Sequence, residues 1–222
     1  MSKMSLIGGK IAAVIFDMDG LMLDTERISR DAWFRTFAEM GYILTKSDYM
    51  RVIGRNRYDT EVIMRQIYGP DFPLDAIYAR SKAHYAAEIA RDLPIKPGLL
   101  PLLHWLEQQH IPKAVASSTE RAGVEYKLGR AGILQHFSMI VGGDEVARGK
   151  PEPDIFLLAA AKLQINPVQC IALEDSEPGI CAAHAAGMIP FMVPDLKAPS
   201  DDIRKLAYQV FDSLHAVKQF LE

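Results

Sequence analysis

Cysteine, excess charge and long apolar runs are all scarce in this chain of 222 residues. Its two cysteines, Cys170 and Cys181, lie in apolar or alanine-rich stretches, so we expect reduced core residues and no disulfide. No apolar run approaches the ~20 residues of a membrane span. The first residues contain no apolar segment long enough for a signal peptide. We therefore expect a cytoplasmic protein without a membrane partner.

Neither positive nor negative charge is in large excess. The chain has 25 basic and 28 acidic residues, and its net charge is −3. The basic residues form no run that would follow a phosphate backbone, so no nucleic-acid partner is expected. A hydrophobic fraction of 49% and a charged fraction of 24% are ordinary for a globular protein. The length suits one core with a small second domain, and a monomer is the default expectation.

The order of apolar runs predicts an α/β protein. Short β-branched runs at 10–15, 113–116, 139–141, 170–173 and 189–193 read as strands, and helical periodicity separates them after residue 95. Such alternation predicts a Rossmann-like parallel sheet with helices on both faces. Four helical stretches occupy the region between residues 24 and 93. We therefore predict a core of residues 1–21 and 96–222 and an inserted helical cap, residues 22–95, which would act as a lid and determine substrate specificity.

Two carboxylates follow the first predicted strand. Asp17 and Asp19 stand at its carboxyl end, where ligands bind in open α/β sheets, and Gly20 permits a sharp turn just after them. Two such close charges repel each other unless a cation lies nearby, and Mg2+ prefers carboxylate oxygens. The alternative is an Asx-turn that closes the strand. The pair thus predicts a magnesium site.

Three further stretches place chemical groups at the same predicted edge. Ser117 could offer a hydroxyl and Ser118 a backbone N–H to an anion; the alternative is that Ser118 or Thr119 simply caps a helix. Lys150, in a proline-rich loop, could neutralise a phosphoryl group, or be an exposed surface lysine. Glu174 and Asp175 could ligate a metal directly or, for Glu174, through water. They could also only stabilise a helix dipole.

Together the four stretches resemble, in order, the four motifs of the haloacid-dehalogenase-like phosphohydrolases, and most closely their β-phosphoglucomutase-like branch. The matching residues are Asp17, Asp19, Ser117, Lys150, Glu174 and Asp175. The resemblance implies that Asp17 is a nucleophile that becomes phosphorylated and that Asp19 is a general acid/base. It further implies that Mg2+ binds Asp17, the carbonyl of Asp19 and the Glu174–Asp175 pair. The expected substrate is a small phosphorylated metabolite.

Residues of the predicted cap bear on the substrate. The segment from Gly54 to Arg57 resembles the one with which sugar-phosphate mutases hold a distal phosphate, although Arg57 could also be a surface residue. Lys82 and His84 are weaker candidates. Ser29 stands where the mutases carry a histidine, which favours phosphate-monoester hydrolysis over isomerisation. A β-phosphoglucomutase-like isomerase is the alternative prediction, followed by a binding module without catalysis.

Overall fold

A computed structural model describes residues 11–53, 55 and 57–222 of the chain. Its strands form one six-stranded sheet in which every pairing is parallel. In chain order they are β1 (Ala13–Phe16), β2 (Lys113–Ala116), β3 (Met139–Val141), β4 (Cys170–Glu174), β5 (Ile189–Met192) and β6 (Gln209–Val210). The spatial order is β3-β2-β1-β4-β5-β6.

Strand β1 lies inside the sheet, between β2 and β4. Phe16 is in register with Val115 of β2 on one side and with Leu173 of β4 on the other. Because the strand order reverses at β1, the loops that follow β1, β2 and β4 diverge at the carboxyl ends and leave room for a ligand there. The predicted α/β class and Rossmann-like sheet are confirmed.

Helices complete two compact units. The helices are α1 (Thr25–Glu39), α2 (Lys46–Val52), α3 (Arg57–Tyr68), α4 (Leu74–Arg91), α5 (Leu99–Gln108), α6 (Arg121–Arg130), α7 (Asp154–Leu163), α8 (Glu177–Ala185), α9 (Asp201–Leu206) and α10 (Leu214–Leu221). The α/β unit comprises the described residues up to Asp24 together with Leu93–Glu222, and the helical unit is Thr25–Asp92. None of the described helices is long and apolar enough to cross a bilayer.

Small side chains let helices approach the sheet closely. One face of β1 and β2 presents alanines, such as Ala13 and Ala114, to a cluster that includes Phe156 and Ala160 of α7. Phe156 is fully buried, and burying a side chain of this size stabilises the fold by about 1.5–3 kcal/mol. Cys170 belongs to the same cluster, as predicted for a core residue, whereas Cys181 is only half-buried; both cysteines are free.

The two chain segments that connect the units pair with each other inside the α/β unit. Leu23 and Ile95 form an antiparallel bridge, and the amide of Lys96 donates to the carbonyl of Met22 at 2.9 Å. The Lys96 ammonium then contacts the buried Asp195 carboxylate at 2.5 Å. These contacts hold both connecting segments within the α/β unit.

The helical unit has its own core, in which α1 and α4 pack together. Phe37 of α1 is fully buried, and its ring lies 5.5 Å from those of Tyr68 and Phe72. Trp33, one turn earlier on α1, packs edge-on against Tyr78 of α4 at 5.3 Å. Aromatic pairs of this geometry each contribute about 0.5–1.5 kcal/mol beyond burial.

Candidate active site

The four predicted motif stretches meet at the carboxyl edge of the sheet. Asp17 follows β1, Ser117 follows β2, and Glu174 is the last residue of β4. The amide of Asp17 continues the ladder by donating to the carbonyl of Leu173 at 2.9 Å. Asp17, Ser117 and Glu174 are all buried, so their polar groups are held by protein contacts rather than by bulk water.

Lys150 joins these loops through its ammonium group. Its Nζ donates to Asp17 Oδ1 and to Glu174 Oε1, both at 2.5 Å, and to the carbonyl of Ala116 at 3.0 Å. The side chain is only 5% exposed, so the alternative of a solvated surface lysine does not hold. One cation thus lies between two carboxylates from different strands.

The ionisable groups at this edge shift the pKa values of one another. Burial raises the pKa of Asp17 to about 8, and the nearby Glu174 and Asp19 carboxylates act in the same direction, against the opposing effect of Lys150. Burial alone would lower the pKa of Lys150, but Asp17 and Glu174 raise it above its usual range. Lys150 is therefore positively charged, whereas Asp17 favours its protonated form at neutral pH unless a further cation lies beside it.

Glu174 is fixed on both sides of its carboxylate. Besides Lys150 at Oε1, its Oε2 accepts bonds from the Ser176 hydroxyl at 2.9 Å and from the amides of Asp175 and Ser176 at 3.2 Å. Gly179 lies directly against it, since a Cβ at that position would fall 1.9 Å from the carboxyl carbon. The Glu174 carboxylate is therefore held in position by bonds at both of its oxygens.

Three carboxylates at this edge suit a hard divalent cation. One oxygen each from Asp17, Glu174 and Asp175 lies within 4.8 Å of the others. Oxygen ligands of this kind are those that Mg2+ prefers. A cation among these oxygens would counter the burial that raises the pKa of Asp17 and would favour its ionised form, so the residues fit the predicted metal.

Asp19 is held by two residues that the sequence did not indicate. Its Oδ2 accepts from the Thr119 hydroxyl and its Oδ1 from the Lys127 ammonium, each at 2.7 Å. Thr119 stands in the Ser117–Thr119 run of hydroxyl residues, which was a usable signal. Lys127 is a lone lysine on α6 with no distinguishing pattern around it.

Neither Ser118 nor Thr119 is the N-cap of α6. The residue at the N-cap is Glu120, and the first helical amide, that of Arg121, donates to Asp144 Oδ1 at 2.7 Å. The Ser117 hydroxyl accepts from the amide of Thr119 at 3.2 Å and keeps its own proton as a donor. Ser118 is exposed.

Within the helical unit, the candidate substrate residues already have partners. Arg57 begins α3, forms an ion pair with Asp75 of α4 and stacks over the Tyr78 ring at 5.0 Å. His84 contacts Glu39 at 2.9 Å. Gly54 lies outside the described residues. The role of Arg57 in substrate recognition stays a prediction, and so does that of Gly54.

Comparison with known proteins places the chain in a family. The model for haloacid dehalogenase-like hydrolases matches residues 14–193. The chain belongs to this family. The fructose-1-phosphate phosphatase YqaB of Escherichia coli is 35% identical over 184 residues, covering 81% of this chain and 94% of that protein. The bifunctional riboflavin kinase/FMN phosphatase of Arabidopsis thaliana is 31% identical over 83% of this chain, which spans only 49% of that protein.

A solved structure extends the likeness to the fold. The beta-phosphoglucomutase of Clostridium difficile superimposes with a TM-score of 0.68 at 26% identity, over 92% of each chain. The predicted membership in the haloacid dehalogenase-like family is therefore confirmed, within its sugar-phosphatase and phosphomutase branch. The prediction of an enzyme of the phosphoric monoester hydrolase class is confirmed with it.

Proposed function

We propose that this chain is a Mg2+-dependent phosphatase that hydrolyses small phosphate monoesters, such as sugar phosphates, through a phosphorylated aspartate. The observation that carries the proposal is the position of Asp17. Its carboxylate stands at the carboxyl end of β1, bonded to Lys150 at 2.5 Å and within reach of the Glu174 and Asp175 carboxylates. The phosphatase names of relatives such as the fructose-1-phosphate enzyme support the same chemistry.

In this mechanism Asp17 attacks phosphorus, a new P–O bond forms, and the bond to the alcohol oxygen breaks. The Lys150 ammonium, the Ser117 hydroxyl and the Ser118 amide stabilise the phosphoryl oxygens. Asp19, in its protonated form, donates its proton to the departing alcohol. It then accepts one from the water that hydrolyses the phosphorylated Asp17. The bonds from Thr119 and Lys127 keep the Asp19 carboxylate in a defined position.

Asp17, Glu174, Asp175 and the carbonyl of Asp19 would hold the magnesium ion. When bound, it would supply positive charge that offsets the carboxylates and the phosphoryl group. Because Lys150 already bonds Asp17 and Glu174, protein and metal would share the task of keeping Asp17 ionised.

A second candidate is a β-phosphoglucomutase-like isomerase, which the likeness to the Clostridium difficile enzyme favours. Against it stands Ser29, where the mutases have a histidine; here Ser29 hydrogen-bonds Tyr49 within the helical unit. Product analysis separates the two, since hydrolysis releases inorganic phosphate and isomerisation does not.

We further propose that residues 22–95 select the substrate, because the core motifs address only the phosphoryl group. Arg57 would take part in that selection, and so would Gly54, three positions before it in the sequence. A small phosphorylated metabolite as substrate, a monomeric state and a cytoplasmic location remain predictions from the sequence.

The test is a phosphate-release screen over a panel of metabolite monoesters with Mg2+. We expect at least one sugar phosphate to be hydrolysed, with activity lost in a chelator and restored by added Mg2+. Asp17→Asn should lower turnover at least about 1,000-fold because the nucleophile is removed. Asp202→Asn, at an exposed position of α9, is the matched control and should keep full activity. Wild-type turnover in Asp17→Asn would disprove the assigned nucleophile.

A further inference from the structure

Two histidines and a glutamate of the α/β unit form a separate cluster of potential metal ligands. His104 and Glu107 are three positions apart on α5 and therefore share one helix face. His136 closes the short turn Leu134–His136 that follows α6. One ligand atom from each of the three lies within 4.8 Å of the other two.

This cluster lies at the amino end of the sheet. The Glu107 carboxylate contacts the ammonium of Lys113, the first residue of β2, at 3.1 Å. Ser117 of the active site follows the other end of the same strand, so the two sites are at opposite ends of β2. A cavity of about 610 Å³ adjoins the cluster and is lined in part by Glu107 and His136.

Two imidazole nitrogens and one carboxylate oxygen suit a divalent ion of intermediate softness, such as Zn2+, better than Mg2+. His136 Nδ1 lies 2.7 Å from Glu107 Oε1, and the rings of His104 and His136 are 5.6 Å apart at 59°. Imidazole nitrogen and carboxylate oxygen bind Zn2+ at about 2.0–2.2 Å, and three protein ligands leave one tetrahedral position open. His104 and Glu107 are exposed, so solvent leaves room for their side chains to rotate toward these distances.

Two electrostatic features act on such an ion in opposite directions. Glu107 is in the last turn of α5 and His104 one turn before it, where the partial negative charge of the helix end favours a cation. The Lys113 ammonium shares Glu107 Oε1 with His136 and would repel a second cation. Because the Lys113 ammonium opposes the binding of a cation at Glu107, replacing Lys113 tests whether a cation binds there.

We propose that His104, Glu107 and His136 bind a divalent transition-metal ion of the Zn2+ class, with water in the fourth position. The ion would connect α5 to the turn before β3. Because none of its ligands belongs to the phosphatase machinery, this site is independent of the proposed catalytic function.

The experiment measures Zn2+ bound per chain by equilibrium dialysis, in excess Mg2+. His104→Gln and His136→Gln should each weaken binding about tenfold or more, a loss typical of perturbed metal sites. His184→Gln, at an exposed position of α8, is the matched control and should bind as the wild type does. Any Zn2+ at the catalytic carboxylates would contribute equally to all these proteins. Circular dichroism without zinc should show that the variants fold alike.

Lys113→Met gives a result in the opposite direction. Removing the ammonium beside Glu107 should tighten Zn2+ binding several-fold, because a like charge at short range is lost. Equal Zn2+ affinity in wild type, His104→Gln and His136→Gln would overturn the proposal. Unchanged affinity in Lys113→Met would overturn the assignment of Glu107 as a ligand.

Discussion

At the scale of single residues, Lys150 holds together two carboxylates that would otherwise repel each other. Its ammonium contacts Asp17 and Glu174 at 2.5 Å, and all three side chains are at most 10% exposed. Lys150→Met should therefore lower the free energy of unfolding by about 3–5 kcal/mol, as when one partner of a buried ion pair is removed. Phosphate release should also be lost and should not return with excess Mg2+. Urea unfolding and the phosphate assay measure the two effects.

A second substitution separates charge from packing in this prediction. Lys150→Met combined with Glu174→Gln removes one of the two unpaired carboxylates, so part of the stability should return while activity stays absent. Lys205→Met on α9, where the lysine is 74% exposed, should change the unfolding free energy by less than about 1 kcal/mol. A Lys150→Met protein as stable and active as that control would contradict the charge argument.

The same scale shows which site residues were predictable. Asp17, Ser117 and Glu174 each follow an apolar run, and parallel strands bring such positions to one edge. Thr119 and Lys127 were missed as partners of Asp19, because nothing in the sequence near Lys127 distinguishes it from a surface lysine. Its role arises only from the packing of α6 in three dimensions.

At the scale of secondary-structure elements, the start of α8 and the end of β4 are built as one piece. The Ser176 hydroxyl accepts the N-cap bond from the amide of Gly179 and donates to Glu174. The absent side chain of Gly179 leaves the space that the Glu174 carboxylate fills. Gly179→Ala should therefore cost about 1–3 kcal/mol of stability through overpacking. It should also lower kcat at least tenfold, because Glu174 must move away from Lys150.

Gly129→Ala is the matched control for that substitution. Gly129 lies in α6, and a Cβ there would meet nothing within 4 Å. Alanine should stabilise the protein by about 0.4–1 kcal/mol and leave kcat unchanged. If thermal melts and kinetics of Gly179→Ala matched those of Gly129→Ala, the close contact with Glu174 would be wrong.

Most elements were predictable in type, and the exceptions have physical causes. The run before Asp17 was predicted as a strand over residues 10–15; residue 10 lies outside the described residues, and β1 spans Ala13–Phe16. Helix α9 was missed entirely. It has six residues, of which only Ile203 is buried, so it is too short to show a helical repeat and follows a loop-like Pro199–Ser200 pair. Short elements depend on their neighbours more than on their own pattern.

At the scale of the whole molecule, the sequence pattern changes from helices alone to alternating strands and helices near residue 95. This change predicted a helical part and an α/β part of the chain. The prediction set the limits of the helical part at residues 22 and 95, whereas the compact helical unit is Thr25–Asp92. The difference comes from residues 22–24 and 94–96, which pair with one another and so belong to the α/β unit. Periodicity could not reveal that pairing, because it joins residues some 70 positions apart.

Arg57 offers a way to test the proposal that the helical part of the chain selects the substrate. Its guanidinium is paired with Asp75 and stacked on Tyr78. Arginine binds phosphate through two parallel hydrogen bonds, so a second anionic group on a substrate would have to displace Asp75. Arg57→Ala should lower kcat/KM about tenfold or more for sugar phosphates carrying such a group. Turnover of a small aryl phosphate should stay within about twofold of wild type.

Two further variants make the Arg57 prediction specific. Asp75→Asn weakens the competing ion pair and should raise kcat/KM for the same sugar phosphates, because Arg57 is released for the substrate. Arg65→Ala, which removes another exposed arginine of α3 that is paired with Glu61, should leave both substrates unaffected. Equal losses for sugar and aryl phosphates in Arg57→Ala would mean that this residue supports the fold of the helical unit and does not read the substrate.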